Sequence, residues 1–139
     1  MNDSGNRREF GTGAVRDVTT GKGWYAGISP IAMHRLAIVL QKGAEKYSPR
    51  NWEQGIILSS FFDSAMRHLF QWARGDVDED HLGQALWNIH SLIHTEDQAL
   101  RGKLPRELLD MGPQKGHQVC IDLKTKEDTD KFLGRGGAK

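Results

Sequence analysis

The chain has 139 residues, of which 37% are hydrophobic and 27% are charged, a length and balance that predict one globular domain. Its formal net charge of +1 provides no strong field to attract nucleic acid or a membrane surface, so any cationic function must be local. Because Cys120 is the single cysteine, an intrachain disulfide and a thiolate metal cluster are excluded, and the cytoplasm is the expected compartment.

The N-terminal segment is predicted to lack regular structure. Residues 1–10 are polar, without the apolar core of a signal peptide, and we expect them to be flexible. The glycine-rich stretch 11–25 matches neither the P-loop spacing nor G-x-G-x-x-G, so it indicates irregular chain and not a named phosphate-binding loop. Since no stretch approaches the roughly 20 apolar residues of a membrane span, we expect a protein that is neither exported nor embedded in a membrane.

A first amphipathic helix is predicted to begin at Ser29 and Pro30, because serine suits the N-cap and proline the first helical position. It should end near Tyr47, since the proline of Ser48-Pro49 pushes the residue before it out of the α region. Apolar residues recur between these limits at helical spacing, namely Met33, Leu36, Ala37, Leu40 and Ala44. A loop follows, and it carries Arg50, Asn51 and Trp52.

Two further amphipathic helices are predicted. Ser59 or Ser60 can cap the second helix, which Gly75 stops. After the acidic segment 76–80, a third helix extends to about Leu100, and such a short link favours antiparallel neighbours. Because three helices barely enclose a core, we expect an all-α bundle of antiparallel helices that is completed by association into a homo-oligomer.

The C-terminal part is predicted to be less regular. Residues 104–109 could form one more helical piece, residues 117–123 a short strand or extended arm, and the chain from about residue 125 looks disordered. We therefore predict three regions, a flexible N-terminus at 1–10, an all-α domain at 11–111 and a polar extension at 112–139.

Several acidic residues are candidate metal ligands. Asp63, in the first predicted turn of the second helix, either completes a capping-box variant with Ser60 or binds a metal. Glu45 lies in the last turn of the first helix, where the helix dipole disfavours an acid; it either pairs with Lys42 or Lys46 or serves as a ligand. Acids are expected at the start of the third helix for structural reasons alone, and those present are Asp78, Glu79 and Asp80.

Polar residues on the second and third helices are further candidates. Asn88 lies beside the core face and needs a hydrogen-bond partner; it is either a satisfied buried amide or a residue that orients a metal ligand, a water or a substrate. His68 is either a half-buried core histidine or a general acid or phosphate donor, and His81 is a weaker candidate of the same kind. We interpret His90 and His94 as surface histidines, because their i, i+4 pair lacks the glutamate of H-E-x-x-H.

Cationic and aromatic residues surround the ends of the first helix. The cations, which either neutralise a polyphosphate or are merely solvated, are Arg16, Lys22, Lys42, Lys46 and Arg50. The aromatic residues, which either stack on a base or pack loops onto helices, are Trp24, Tyr25 and Trp52.

The patterns GAEKYxxRNW and DEDHLxxAxWN are too specific to arise by chance, and they occur within a set of strings between Gly11 and Glu96. These strings are GTGAVRD, GKGWY, SPIAMHRLA, KGAEKYSPRNWEQG, DSAMRH and GDVDEDHLGQALWNIHSLIHTE. Together they resemble a bacteriophage family of dATP/dGTP diphosphohydrolases, which is related to the MazG-like all-α nucleoside triphosphate pyrophosphohydrolases. The resemblance implies cleavage of a purine deoxynucleoside triphosphate to its monophosphate and pyrophosphate, with Mg²⁺ or Mn²⁺. Some members, called MazZ, serve phages that replace adenine by 2-aminoadenine.

The chain departs from the MazG pattern of EExxE on one helix and ExxD on the next. Asp63 matches the first acid, but Ser64 and Arg67 replace the others. Ala85 and Asn88 stand in for ExxD. Either Glu45 and the group from Asp78 to Asp80 supply the missing carboxylates, or fewer metals bind.

The site residues predicted on this basis fall into three groups. The metal ligands are Glu45, Asp63, Glu79 and Asp80, and the catalytic residues are Asp63, His68 and Asn88. The substrate-binding residues are Arg16, Lys22, Trp24, Lys42, Lys46, Arg50, Asn51 and Trp52. The expected partners are a purine nucleotide and further copies of the chain, in a dimer or tetramer, with no membrane and no stable nucleic-acid partner.

Two other functions remain open at this stage. The first is a nonenzymatic phage module that binds a nucleotide or nucleic acid, in which the acids are only helix caps. The second is a phosphohydrolase that releases phosphate or triphosphate, as HD-domain enzymes do. That family needs an adjacent His-Asp pair, whereas this chain has Asp80-His81 in the reverse order. Analysis of the reaction products separates these possibilities.

Overall fold

The structure is a computed structural model in which residues 5–113 are described. The chain divides into two compact units, residues 1–33 and residues 34–139. The strand or arm expected at 117–123, and the disorder expected from about residue 125, lie outside the described residues. None of the helices in the described part combines the length and apolar character needed to cross a lipid bilayer.

A β-hairpin forms in the first unit. Strand β1 (Arg7–Glu9) pairs antiparallel with strand β2 (Val15–Asp17), so that Arg7 lies opposite Asp17 and donates to its carboxylate at 3.0 Å. Gly13 adopts a φ of +82° in the connecting turn, a conformation that glycine reaches without steric cost. The expectation of irregular structure was therefore wrong for these strands, which are too short to show a period in the sequence.

Helix α1 (Pro30–Lys46) begins as predicted, because the hydroxyl of Ser29 accepts a hydrogen bond from the backbone N–H of Ala32 at 3.3 Å. It ends one residue before the predicted end at Tyr47. A 3₁₀ turn, Asn51–Gln54, follows the helix.

Helices α2 (Leu58–Ala73) and α3 (His81–Leu100) pack against each other. Leu58, at the start of α2, shares a buried cluster with Ala99, near the end of α3. The other ends meet where the His68 ring lies beside that of His81. The two helices are therefore antiparallel, as predicted. The described part of the chain is mainly helical, which confirms the predicted all-α class.

The predicted cap of α2 was wrong. The helix begins after Ile57, and neither Ser59 nor Ser60 caps it. The backbone N–H of Ser59 instead donates to the Asp110 carboxylate at 2.9 Å, and the Ser59 hydroxyl donates to the same group. Because Asp63 then falls in the second turn, the capping box proposed with Ser60 does not form. Asp110, which is 51 residues further along the chain, thus accepts hydrogen bonds from the first turn of α2.

The segment after α3 covers the start of α2. The predicted helical piece is a 3₁₀ turn, Arg106–Leu108, and the next residue, Leu109, is buried against Leu58 and Ala99. This packing holds the Asp110 carboxylate in place beside Ser59.

Asp110→Ala should lower the free energy of unfolding by about 1–2 kcal/mol, because it removes the acceptor for donors at the helix start. Urea unfolding followed by circular dichroism measures the change. Glu107→Ala, at an exposed position in the same segment, is the control and should change the stability little. Equal stability of the two variants would show that the Asp110 contacts contribute nothing.

Candidate functional site

Two buried histidines face each other where α2 ends and α3 begins. His68 shares the buried face of α2 with Phe61 and Ala65, as helical spacing dictates, and is 6% exposed. His81 is the first residue of α3 and is 2% exposed. Their Nδ1 atoms lie 3.1 Å apart. The packing of the two helices thus brings together two imidazoles that are 13 positions apart in sequence.

Carboxylates from the acidic link surround this pair. The Oε1 atom of Glu79 lies 3.6 Å from Nδ1 of His68 and 3.7 Å from Nδ1 of His81. Asp78 lies on the other side of the His81 ring, with Oδ1 2.8 Å from Nε2. When Nε2–H donates to Asp78, the Nδ1 lone pair of His81 is directed towards His68 and Glu79. We call His68, Glu79 and His81 the histidine–glutamate cluster.

The electrostatic environment of His68 favours its neutral form. Burial is the largest influence and lowers the pKa of His68 below the ordinary histidine value, whereas the negative charge of Glu79 opposes this shift. A neutral imidazole keeps a lone pair for a metal ion.

The donor atoms of the histidine–glutamate cluster lie within 4.8 Å of one another, close enough to hold one metal ion. A second group within the described residues consists of Asp76, Asp78 and His81. The cluster supplies two nitrogens and a carboxylate oxygen, a set that suits a divalent transition ion better than Mg²⁺, which prefers oxygen ligands.

The structure places the four predicted metal ligands in different surroundings. Glu79 belongs to the cluster, but Glu45, Asp63 and Asp80 belong to neither candidate metal-ligand group within residues 5–113. Glu45 is exposed and accepts a hydrogen bond from Gln41 at 3.0 Å, and Asp63 is exposed on α2.

Asp80 is an anchor between α1 and α3. Its carboxylate accepts from Nε of Arg35 at 2.9 Å and from a second guanidinium nitrogen of the same residue. It also accepts from the backbone N–H of Gly83 at 2.9 Å, and so caps α3. The hydrogen bonds from Arg35 are the main reason that the pKa of Asp80 is lowered to about 2.

A cleft of about 600 Å³ lies where the end of α1 and the following loop meet α3. We call it the α1 cleft. Five of the eight predicted substrate-binding residues line it, namely Lys42, Lys46, Arg50, Asn51 and Trp52. The other three, Arg16, Lys22 and Trp24, belong to the first unit, where Trp24 is 83% exposed and Lys22 pairs with Asp17 at 3.4 Å.

Arg50 lines the α1 cleft and pairs with Glu53. Its backbone lies in the left-handed region with a φ of +61°, which is unusual for a residue other than glycine. Its guanidinium contacts the Glu53 carboxylate through two nitrogens. Nε lies 3.0 Å from Oε2, and Nη2 lies 2.6 Å from Oε1. Much of the side chain remains exposed, so the guanidinium can meet an anion at the cleft.

Trp52 forms a wall of the α1 cleft by packing on α3. The centroid of its ring lies 5.0 Å from that of His90 and 4.9 Å from that of His94. Both histidines are therefore half-buried, and the interpretation of them as surface histidines was wrong. Burial is the main cause that lowers the pKa of His90, with His94 adding to the shift and Glu53 opposing it.

The free energy of unfolding should decrease between pH 7.5 and pH 5.5, in part because of His90. Its folded pKa lies below the unfolded value of about 6.5, so the unfolded chain binds the proton more readily and acidification favours unfolding. Urea unfolding at the two pH values measures this. His90→Gln should show a smaller decrease than the unchanged protein, and an equal decrease would exclude a contribution from His90.

The α1 cleft adjoins the histidine–glutamate cluster through Gln84. This residue lines the cleft, and its Nε2 atom lies 3.5 Å from Oε2 of Glu79, whose other oxygen faces the histidines. The backbone carbonyl of Gln84 accepts from Nδ2 of Asn88 at 2.9 Å. Asn88 is thus a buried amide whose nitrogen has a partner within α3.

Gln84 and Trp87 were not identified from the sequence as cleft residues. They follow His81 at helical spacing, which places them near one side of α3, but nothing in the sequence shows that this side faces the end of α1. Of the basic residues that the sequence placed around the ends of the first helix, Lys42, Lys46 and Arg50 line the cleft.

Comparison with known proteins identifies a matching family. The model of a family described as dATP/dGTP diphosphohydrolase, N-terminal, matches residues 12–103. No curated protein and no solved structure matches the chain. The matched range contains all of α1, α2 and α3, and so includes both the histidine–glutamate cluster and the α1 cleft.

Proposed function

The chain belongs to the dATP/dGTP diphosphohydrolase family, and we propose that it hydrolyses dGTP or dATP to the monophosphate and pyrophosphate with the help of a divalent metal ion. The observation that carries the proposal is the position of the α1 cleft, which contains cations and aromatic residues and adjoins the histidine–glutamate cluster.

The α1 cleft contains complementary groups for both parts of a nucleotide. Lys42, Lys46 and Arg50 offer positive charge to a polyphosphate, and this local charge is available although the net charge of the chain is only +1. The side chains of Trp52 and Trp87 offer aromatic surface to a purine base. Arg16, Lys22 and Trp24 remain predicted substrate-binding residues of the first unit.

The histidine–glutamate cluster is the proposed metal site. His68, Glu79 and His81 would hold the ion, while Asp78 fixes the orientation of the His81 ring through Nε2. When bound, the ion would neutralise phosphate oxygens and lower the pKa of an attacking water. Because two of the three donors are nitrogens, we propose Mn²⁺ in preference to Mg²⁺. Glu45, Asp63 and Asp80 remain predicted ligands outside the cluster.

Turnover of a panel of NTPs and dNTPs with Mn²⁺ or Mg²⁺ tests the proposal, provided that nucleotide products, phosphate, pyrophosphate and triphosphate are resolved. We expect metal-dependent release of pyrophosphate and monophosphate from a purine dNTP. Release of phosphate or triphosphate would instead indicate another phosphohydrolase reaction. Absence of turnover for every nucleotide would favour a nonenzymatic nucleotide-binding module.

We also propose that the chain forms a homo-oligomer. Phe62, Met66 and Phe70 recur every four residues along α2 and are 41%, 36% and 66% exposed, and α3 exposes Ile89 and Ile93. Large apolar side chains in such rows are typical of protein interfaces. Sedimentation velocity tests this, since a monomer at micromolar concentration would contradict it.

The proposed biological setting follows from the substrate. Hydrolysis of a purine dNTP would act in the cytoplasm, which is the host cytoplasm if a phage encodes the chain. There it would control the nucleotide pool or supply a precursor for 2-aminoadenine DNA. Nucleotide-pool measurements in cells with and without the protein test this role, and unchanged dGTP and dATP levels would oppose it.

A further inference from the structure

Two helices contain a glycine within their described length, and only one of these glycines is explained by the fold. Glycine in a helix is less favourable than alanine because it loses more backbone entropy on folding. A Cβ atom on Gly83, in α3, would lie 2.6 Å from Oδ2 of Asp80, the residue that caps this helix. A Cβ atom on Gly43, in α1, would meet nothing within 4 Å. The carboxylate of Asp80 therefore crowds a side chain at position 83, whereas no neighbouring atom crowds one at position 43.

The space beside Gly43 belongs to the α1 cleft. Gly43 lines the cleft together with Val39, one turn before it on the same face of the helix, and Tyr47, which directly follows the helix and whose backbone N–H donates to the carbonyl of Gly43 at 3.0 Å. This side of the cleft thus presents an aliphatic side chain, bare backbone and an aromatic ring in sequence. Trp87 of α3 lines the same cleft. Such surroundings suit a flat apolar group better than a phosphate.

We propose that Gly43 is a specificity-determining residue, which leaves room for the purine base of the nucleotide to lie against the backbone of α1. This inference rests on the proposed function and names the part of the α1 cleft that receives the base. The polyphosphate then lies towards the cations of the cleft, among them Lys42, which is about 100° around the helix from Gly43. A methyl group at position 43 would occupy space that the base requires.

Gly43→Ala tests the proposal, because it should make the protein more stable but weaken its binding of purine nucleotides. The melting temperature should rise by about 4 °C, because alanine favours the helix and meets no neighbouring atom. Binding of dGMP and dAMP, measured by calorimetry, should weaken about tenfold or more, the effect of one misplaced methyl group in a fitted pocket. Binding of inorganic tripolyphosphate, which has no base, should not change. In turnover, KM for the purine dNTP should rise more than kcat falls.

Ala37→Gly is the matched control, because Ala37 is an exposed residue of α1 that does not line the cleft. It should lower the melting temperature and leave the affinity for dGMP and dAMP unchanged, which separates helix stability from base binding. If Gly43→Ala weakened the binding of purine monophosphates and of tripolyphosphate equally, the placement of the base beside Gly43 would be overturned. A changed molecular mass in light scattering would overturn it too, by placing Gly43 between copies of the chain.

The inference and the proposed function fail in different ways. If the unchanged protein releases pyrophosphate from a purine dNTP and Gly43→Ala binds dGMP and dAMP equally well, the inference is wrong and the function stands. If the unchanged protein turns over no purine nucleotide, the proposed function is wrong, and the inference that rests on it is overturned as well.

Discussion

Glu79→Gln should reduce Mn²⁺-dependent release of pyrophosphate by at least about 100-fold while leaving the fold intact. Loss of a residue that only orients a metal ligand costs up to about that factor, and loss of a direct ligand should cost no less. Glutamine has nearly the same shape as glutamate, and the Glu79 side chain is 42% exposed, so the change removes charge without disturbing the core.

The measurement is steady-state turnover at several Mn²⁺ concentrations, together with Mn²⁺ affinity by calorimetry. Glu107→Gln, the same exchange at an exposed position, is the control and should match the unchanged protein in both. Circular dichroism should show equal helix content for all three proteins. Full activity and unchanged Mn²⁺ affinity in Glu79→Gln would contradict the assignment of Glu79 as a ligand.

The contribution of the imidazoles can be tested in the same way, with His68→Asn as the test variant and His34→Asn as its control. His68 is buried in the histidine–glutamate cluster, whereas His34 is exposed on α1. Loss of Mn²⁺ affinity in the first variant alone would support the cluster as the metal site. If Asp63→Asn, and neither cluster variant, abolished turnover of a folded protein, the metal site would lie at the carboxylates predicted from the sequence.

The sequence predicted those parts of the fold whose determinants are local. Ser29 and Pro30 marked the start of α1, and the acidic link ending in Asp80 marked the start of α3, because caps act within one helical turn. The start of α2 was misassigned because its acceptor, Asp110, lies 51 residues from Ser59. No pattern within the helix could indicate this contact.

In the candidate site, too, the features that depend on neighbouring residues could be predicted, whereas those that depend on helix packing could not. The grouping of Lys42, Lys46 and Arg50 could be predicted because they lie close together along the chain, at the end of α1 and in the turn after it. The meeting of His68 and His81 depends instead on the antiparallel packing of two helices and on how each is rotated about its axis. Sequence spacing leaves that rotation open, and so both histidines were interpreted as core residues or isolated acids and bases.

Asp80→Ala should lower the free energy of unfolding by about 1–2 kcal/mol, since it removes both the side-chain cap of α3 and the ion pair to Arg35 on α1. Asp80→Asn should cost less, because asparagine caps a helix about as well as aspartate, although its amide nitrogen cannot accept the second hydrogen bond from Arg35. Urea unfolding of both variants measures the two contributions separately. Asp97→Ala breaks the exposed pair with Arg101 and should lower the free energy of unfolding much less than Asp80→Ala does, because solvent screens an exposed ion pair.

The Asp80 variants also test whether this residue binds the metal. The Asp80 oxygens already accept hydrogen bonds from Arg35 and Gly83, so Asp80→Asn should retain the Mn²⁺ affinity of the unchanged protein. A large loss of affinity with little loss of stability would establish Asp80 as a ligand, as the sequence suggested. Loss of stability in Asp80→Ala with normal Mn²⁺ affinity in Asp80→Asn would instead show that Asp80 joins α1 to α3. That connection keeps the α1 cleft beside the histidine–glutamate cluster, because Lys42 and Gly43 lie on the helix that Arg35 anchors.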